Sequence, residues 1–328
     1  MVPIISAHFE SGYSSYLYDF VEFKRREGFK YNAGVEELQR LDRFFSSKNQ
    51  TPECHSEEEI YHWLEKRPGE SDKTYGTRNS IYRNLYNYLT DENISSIMPP
   101  PLNARVKYMN SEFVPYIFSH DEIQRMFEAA DKEKHESKTF ARCAPLFIRL
   151  LYGTGLRLNE ALSLRVGDVL IDKGVLVILD SKNDKSRLVP VSPSLCSRLK
   201  QYIENNGYAD DEPLFQSSPG RQLKDSKAYD WFRLIIFRAG IPHYGRGKGP
   251  RLHDLRHTFA VHSLQSAVER GIDPNAFLPI LSVYLGHSTI TATERYLRLT
   301  SEVFPYLTEV MDKIMNDIIP EVHDYEKR

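Results

Sequence analysis

One ten-residue segment, RLHDLRHTFA at residues 251–260, combines three side chains that bind anions or transfer protons, namely His253, Arg256 and His257. Apolar residues that favour burial lie between and after them. Asp254 is placed to cap a helix whose first turn carries Arg256. The pattern is typical either of a half-buried helix with ordinary polar residues or of a segment that holds charge beside an anion. Three further segments bear on this choice.

The segment GTGLRLNEALSL, residues 153–164, places Arg157 between a glycine-containing bend and a helix. Asn159 followed by the acidic Glu160 is typical of a helix start. We therefore expect Arg157 just outside that helix, on a constrained loop from which it can point into a cleft. A single arginine at a helix edge is also typical of an ordinary protein surface.

The third segment is cationic, and so is a glycine-rich run at residues 245–249 that leads into RLHDLRHTFA. LDSKNDKSRLVPV, residues 179–191, predicts a β-hairpin with Lys182 and Lys185 in its turn. The glycine-rich run GRGKG carries Arg246 and Lys248, and no Gly-Lys-Ser/Thr follows it, so it is not a nucleotide-binding P-loop. Small, flexible, cationic segments suit contact with a phosphate backbone, although exposed turns and disordered loops have the same composition.

The fourth segment is YLGHSTITATERYLRL, residues 284–299. Gly286 is well placed to end one helix, and His287 follows it directly. A capping pattern then starts the next helix, which carries Tyr296. A lone tyrosine in such a helix is usually a core residue with a solvated hydroxyl.

Together the four segments supply the groups that phosphoryl transfer needs without a metal ion. Paired arginines can hold the non-bridging oxygens of a phosphate and neutralise charge that grows in the transition state. A tyrosine hydroxyl can serve as a covalent nucleophile, a lysine can donate a proton to the leaving oxygen, and histidines can move protons. No acidic cluster in these segments indicates a magnesium site. We therefore interpret RLHDLRHTFA as one wall of a phosphate pocket.

In their order along the chain, the four segments resemble those of the tyrosine recombinases, also called phage-type integrases. The resemblance covers roughly residues 118–300. It implies a catalytic set of six residues: Tyr296, Arg157, Lys182, His253, Arg256 and His287. In that set Tyr296 is the nucleophile, the two arginines clamp the phosphate and Lys182 is the general acid. His253 and His287 are the activating histidines. Glu160 matches an acidic position that supports the pocket.

The resemblance also implies the reaction. Such an enzyme recombines specific sites in double-stranded DNA through a 3′-phosphotyrosyl intermediate, with no metal, cofactor or ATP. An apolar stripe at helical spacing over residues 303–318 predicts a C-terminal helix, which either packs on its own domain or, as in many family members, links the subunits of a homotetramer. The alternatives are a type IB topoisomerase, which acts as a monomer, and a non-catalytic DNA-binding regulator. A metal-dependent nuclease is the least favoured.

The rest of the sequence predicts an α+β protein of two domains. Four helical patterns occupy residues 1–98, which we interpret as an all-α core-binding domain that clamps DNA. A proline-rich linker at 99–116 leads to a mainly helical catalytic domain at 117–328 with a small antiparallel sheet, whose strands we expect at 169–171, 175–179 and 188–191. Candidate DNA contacts across both domains are Arg25, Arg78, Arg83, Lys185, Arg246 and Lys248.

Composition sets only broad limits. The 328 residues carry a formal net charge of −2, which neither supports nor excludes a nucleic-acid partner. The three cysteines form no metal-spaced cluster, and no membrane span or signal peptide is evident, so we expect a cytoplasmic protein. Two features favour a protein borne by a phage or transposon. Because helical pattern begins near residue 13, we expect no room for the extra N-terminal domain with which some family members bind accessory DNA sites. The run VERGIDPNAFLPI is expected to be longer than its counterpart in compact chromosomal recombinases.

Overall fold

The computed structural model describes residues 5–94, 98–101, 114–132, 137–180, 185–245, 249–287, 289, 293–294, 296–297 and 299–300. Asp180 and Lys185 are described by their backbone alone. Contacts within the chain divide it into two compact units, Met1–Phe113 and Val114–Arg328. The predicted linker falls largely outside the described ranges, so its bounds stay a prediction.

The N-terminal unit contains four helices among its described residues: α1 (Ser14–Arg26), α2 (Asn32–Ser47), α3 (Glu57–Leu64) and α4 (Asp72–Asp91). They match the four predicted helical patterns, and their apolar stripes form one core that includes Phe20, Leu38 and Leu85. At the start of α3 the Ser56 hydroxyl accepts from the Glu59 N–H at 3.3 Å, as a helix cap does.

The C-terminal unit is mostly helical: α5 (His120–Asp131), α6 (Lys138–Thr154), α7 (Leu158–Ser163), α8 (Pro193–Asn206), α9 (Asp225–Arg238), α10 (Asp254–Glu269) and α11 (Pro274–Leu285). The central α6 packs against α5, α8, α9 and α10. Its buried residues, among them Phe147 and Leu150, form the middle of the core. At the start of α5, Ser119 and Glu122 form the predicted capping box. None of the helices in the described part of the chain is long and apolar enough to cross a membrane.

A three-stranded antiparallel sheet lies beside these helices, in the order β1 (Val169–Leu170), β2 (Val175–Asp180), β3 (Lys185–Pro190). A two-stranded hairpin, β4 (Gln216–Ser218) and β5 (Arg221–Gln222), was not predicted. Small antiparallel sheets on a mainly helical protein confirm the α+β class.

Four predicted strand boundaries differ from the structure, and two of these are the ends of β2 and β3, which lie one residue away from the prediction, at Asp180 and Pro190. The first strand ends at Leu170 because Ile171–Lys173 form a 3₁₀ turn. The third strand begins at Lys185, three residues before the predicted start, because its backbone pairs with Asp180 of β2. Lys185 therefore belongs to the strand and not to the turn.

Candidate active site

Arg157 occupies the N-cap position of α7. Its backbone N–H donates to Glu160 Oε2 at 2.8 Å, and its guanidinium donates to Glu160 Oε1 at 2.8 Å and to the Gly286 carbonyl at 2.9 Å. The helix begins at Leu158 instead of the predicted Asn159, because the Glu160 carboxylate binds the Arg157 N–H and closes the first turn. The Arg157 side chain keeps 39% of its surface exposed, so a ligand can reach it.

Arg256 lies in the first turn of α10 and is only 3% exposed. Its guanidinium donates to the Gly155 carbonyl at 2.8 Å and to the Leu285 carbonyl at 2.7 Å. Gly155 has φ 58°, and a Cβ there would lie 2.4 Å from the Phe259 ring, so the bend requires glycine. Burial, and after it the charge of Arg157, lowers the pKa of Arg256 to about 10, which leaves the guanidinium protonated at neutral pH.

The prediction that Asp254 caps α10 is wrong. His253 holds the N-cap position, and the fully buried Asp254 is the first residue of the helix. The Asp254 carboxylate accepts from the Arg251 backbone N–H at 2.8 Å and from the Arg251 guanidinium at 2.8 Å. It therefore stabilises the turn before α10, because both donors of Arg251 lie within reach there.

Glu160 joins Arg157 to a residue that the sequence did not single out, Arg187 in β3. The Arg187 guanidinium donates to both carboxylate oxygens of Glu160, at 3.0 and 2.8 Å. Burial alone raises the pKa of Glu160, but the hydrogen bonds from Arg187 and from the Arg157 backbone outweigh it and lower the pKa. The sequence did contain a signal, since the period of two in a strand places Arg187 on the same face as the apolar Val189, which is buried.

Tyr296 lies in a helical stretch near the end of the described chain. Its side chain is fully buried in an apolar cluster with residues of α10 and α11, including Leu264 and Leu285. Its hydroxyl lies 3.0 Å from Nδ1 of His257, which is itself 3% exposed. His257 thus contacts the hydroxyl of the predicted nucleophile, although the sequence assigned the activating role to other histidines.

The two predicted histidines lie next to this pair. His287 follows Gly286, which ends α11 with φ 66° as predicted. The His287 ring stacks on the Tyr296 ring with centroids 6.3 Å apart, and its Nδ1 lies 2.7 Å from Thr293 Oγ1. The exposed His253 presents its ring edge to His257 with centroids 5.0 Å apart. The structure therefore brings Arg157, Arg256 and the histidines together around Tyr296.

The remaining predicted residues are not brought to this site by what the structure describes. Lys182, Arg246 and Lys248 lie outside the described residues, and the side chain of Lys185 is not described. Arg25 and Arg83 belong to the N-terminal unit. Arg83 is exposed on α4, whereas the Arg25 guanidinium donates to the Ile5 carbonyl at 2.5 Å.

Arg78 is paired with a carboxylate of its own and does not fit the predicted DNA contact. Its side chain is 2% exposed, and its guanidinium donates to the Glu70 carboxylate at 2.9 and 3.1 Å. The Glu65 carbonyl also accepts from Nη2, at 2.7 Å, and the Trp63 carbonyl accepts from Nη1. This corrects the prediction, because the donors that would bind a phosphate are already used to hold α3 and α4 together.

The charges at the site do not balance. The guanidiniums of Arg157 and Arg187 bind the Glu160 carboxylate, and the charges of these three groups act on the nearby Arg256. Three guanidiniums against one carboxylate leave two positive charges uncompensated, which favours the binding of an anion such as a phosphodiester. Across the described ranges, no cluster of three or more histidine, cysteine, aspartate or glutamate side chains could hold a metal ion.

Solved structures of similar fold are recombinases and integrases. One is a XerH site-specific recombinase bound to palindromic difH substrate, with a TM-score of 0.64 and 21% identity, covering 86% of this chain and 80% of that one. Another is the Tn1549 transposon integrase in complex with circular intermediate DNA, with a TM-score of 0.59 and 18% identity, covering 86% of this chain and 94% of that one. At these identities the likeness shows the fold.

Sequence relatives carry the assignment further. The profile of the phage integrase family matches residues 117–302, more than half of the chain. The integrase/recombinase y4rB of Sinorhizobium fredii is 31% identical over 294 residues, which are 87% of this chain and 92% of that protein. The tyrosine recombinase XerA of Pyrococcus furiosus is 30% identical over 203 residues, covering 61% of this chain and 62% of XerA. With the arginine-rich site and its buried tyrosine, these matches establish that the chain belongs to the phage integrase family and is a tyrosine-type site-specific recombinase.

Proposed function

We propose that the protein cleaves double-stranded DNA one strand at a time, with the Tyr296 hydroxyl as nucleophile. The bond from phosphorus to the 5′ oxygen breaks, a bond to Tyr296 Oη forms, and a 3′-phosphotyrosyl link and a free 5′-hydroxyl result. The 5′-hydroxyl of a partner strand then attacks this link and releases the tyrosine. The observation that carries the proposal is the contact of the Tyr296 hydroxyl with Nδ1 of His257 at 3.0 Å, because His257 directly follows Arg256 in α10.

Arg157 and Arg256 hold the scissile phosphate in this proposal. Planar guanidiniums bind two non-bridging oxygens and offset the negative charge that builds up on them in the transition state. Carbonyl groups of Gly155, Gly286 and Leu285 fix the direction of both guanidiniums before DNA arrives. The arginines thereby supply positive charge that a metal ion supplies in other phosphoryl-transfer sites. The energy of the broken bond stays in the phosphotyrosyl link, so no ATP is consumed.

Protons are transferred both at the Tyr296 hydroxyl and at the leaving 5′ oxygen. The Tyr296 proton leaves towards His257 Nδ1, 3.0 Å away, and His253 lies behind His257 at the exposed end of that path. His287, stacked on the Tyr296 ring, orients the nucleophile and donates to the phosphate. Lys182 donates the proton that the leaving 5′ oxygen takes up, an assignment that rests on its place in the hairpin motif.

Burial of Tyr296 connects cleavage to assembly. Because the side chain is fully buried, a phosphate reaches its hydroxyl only after the residues around it move. The proposal assigns this movement to the formation of a homotetramer on paired DNA sites, where heterologous contacts close into a ring. The predicted linking helix at 303–318 lies outside the described residues. The role in a mobile element, transposition and the cytoplasmic location stay predictions.

Removal of the Tyr296 hydroxyl tests the proposal. Tyr296→Phe should bind duplex DNA as the parent protein does and form no covalent adduct with a nicked suicide substrate. Adduct yield on a denaturing gel is the measurement, made with and without a chelator, and the chelator should leave the parent's yield unchanged.

Tyr284→Phe is the matched control. The Tyr284 hydroxyl donates to the Pro190 carbonyl at 3.1 Å and should not be needed for the adduct. A normal adduct from Tyr296→Phe together with a lost adduct from Tyr284→Phe would move the nucleophile to Tyr284.

A further inference from the structure

Arg187 connects three of the segments that build the active site. From β3, its Nε donates to the Tyr284 carbonyl at the end of α11 at 3.1 Å. Its two terminal nitrogens bind Glu160 in α7. A Cβ added to Gly286 would lie 3.0 Å from both Cζ and Nη1 of Arg187 and 3.2 Å from Nε. These near-equal distances mean that the plane of the guanidinium faces Gly286.

Both residues that hold the Arg157 guanidinium therefore lie against Arg187. Arg157 donates to the Glu160 carboxylate and to the Gly286 carbonyl. Arg187 grips the same carboxylate with two bonds and packs its guanidinium against Gly286. Arg187 itself is only 15% exposed, whereas Arg157 is 39% exposed. The buried arginine thus lies behind the accessible one and fixes its two acceptors.

The charge of Arg187 matters as much as its geometry. Without it, the Glu160 carboxylate would pair with Arg157 alone and would neutralise the charge that a phosphate needs. With two bonds from Arg187, Glu160 is already compensated, so Arg157 keeps its positive charge for a ligand.

We propose that Arg187 is a positioning residue for DNA cleavage, which aligns Arg157 with the scissile phosphate through Glu160 and Gly286. The proposal rests on the proposed function, in which Arg157 binds a non-bridging phosphate oxygen. Displacement of a reacting or binding group by about 1 Å can lower a rate by about 10²-fold. A comparable loss is expected when Arg187 is removed, although its side chain does not touch DNA.

The test compares two suicide substrates, one with a normal scissile phosphodiester and one with a methylphosphonate at that position. The methylphosphonate is uncharged, so its cleavage does not require an arginine to offset charge on a non-bridging oxygen. On the phosphodiester, Arg187→Gln should cleave about 10²-fold more slowly than the parent, with half-site binding retained. On the methylphosphonate, the loss should shrink to a few-fold. Arg157→Ala should show the same pattern, and adding Arg187→Gln to it should lower the rate no further.

Two further variants complete the test. Arg198→Gln removes an exposed arginine on α8 and should leave cleavage of both substrates unchanged. Arg187→Lys retains the charge but lacks the planar fork that binds both Glu160 oxygens, so it should restore less than half of the lost rate on the phosphodiester. If Arg187→Gln does not fold, Arg187→Lys is measured on both substrates in its place, with the same pattern expected.

The outcomes separate the two proposals. Equal losses on both substrates for the Arg187 variant, with Arg157→Ala still rescued by the methylphosphonate, would overturn the positioning role and leave the proposed function intact. If the methylphosphonate does not rescue Arg157→Ala either, the clamp assigned to Arg157 fails, and the role of Arg187 fails with it.

Discussion

Arg78 in the N-terminal unit and Arg256 in the C-terminal unit are both almost completely buried, at 2% and 3% exposure, but their partners differ. Arg78 has a carboxylate of its own, that of Glu70, which is also buried. Arg256 is held by carbonyl groups, and the carboxylate that acts on it, Glu160, is already bound by other arginines.

The difference separates a cation that stabilises the fold from one that is kept for a ligand. The hydrogen bond from Arg78 lowers the pKa of Glu70, as expected for a balanced pair. At the active site, burial and the neighbouring Arg157 instead lower the pKa of Arg256 to about 10. Burial and the neighbouring charge thus destabilise the protonated form of Arg256, and a bound phosphate would stabilise it. A balanced buried pair has no such attraction for an anion.

The largest effect is expected from breaking the balanced pair. Arg78→Met leaves the Glu70 carboxylate, only 7% exposed, without its partner and should destabilise the N-terminal unit by about 3–5 kcal/mol. Hydrogen exchange of α3 and α4 in the full chain measures this loss. Cleavage per folded molecule should stay unchanged, and adding Glu70→Gln should recover part of the stability. A loss below about 1 kcal/mol would show that Arg78 and Glu70 do not depend on each other.

Arg256 should give the opposite result. Arg256→Ala removes a phosphate donor, and cleavage of a suicide substrate should slow by about 10²–10³-fold. Arg256→Lys should rescue poorly, because a point charge cannot replace a planar fork. Thermal unfolding should show less destabilisation than Arg78→Met does, since no dedicated carboxylate is left unpaired. Near-normal cleavage by Arg256→Ala would remove the contrast between the two arginines.

A third buried basic residue, His262, extends the comparison, because its protonation makes the stability of the fold depend on pH. It is 8% exposed, and its Nδ1 is hydrogen-bonded to the Tyr152 hydroxyl at 2.9 Å. Its ring stacks on the His120 ring with centroids 4.0 Å apart. Burial, and after it the charge of His120, lowers the pKa of His262 from its ordinary value of 6.5 to about 4. As pH falls, His262 therefore takes up a proton in the unfolded chain before it does so in the folded protein. Its contribution to stability is fully present above about pH 6.5 and is lost towards pH 4, by about 3 kcal/mol in all.

Acid unfolding of His262→Asn measures this contribution. The variant should lose less stability than the parent between pH 6.5 and 4, because it has no group to protonate. His62→Asn is the control, since the side chain of His62 is 85% exposed and should contribute little. An unchanged slope for His262→Asn would assign the acid sensitivity to other groups.

Sequence reasoning succeeded where the physical cause is local. The Ser119 capping box joins groups three residues apart, and the left-handed Gly286 ends α11 within one turn. It failed where a neighbour in space competes. Asp254 binds Arg251 and not the helix start, and the ladder between Lys185 and Asp180 begins β3 early.

The sequence by itself determined the α+β class, the four N-terminal helices and the recombinase family, because these depend on periodicity and on ordered motifs along the chain. Only the tertiary structure decided the contacts at the active site. Arg187 reaches Glu160 across 27 residues, His257 reaches Tyr296 across 39, and Arg157 reaches Gly286 across 129. Such bonds depend on how α7, α10, α11 and β3 pack. Packing also makes one buried arginine a structural partner and leaves another with a surplus charge, a difference that residue type and spacing do not encode.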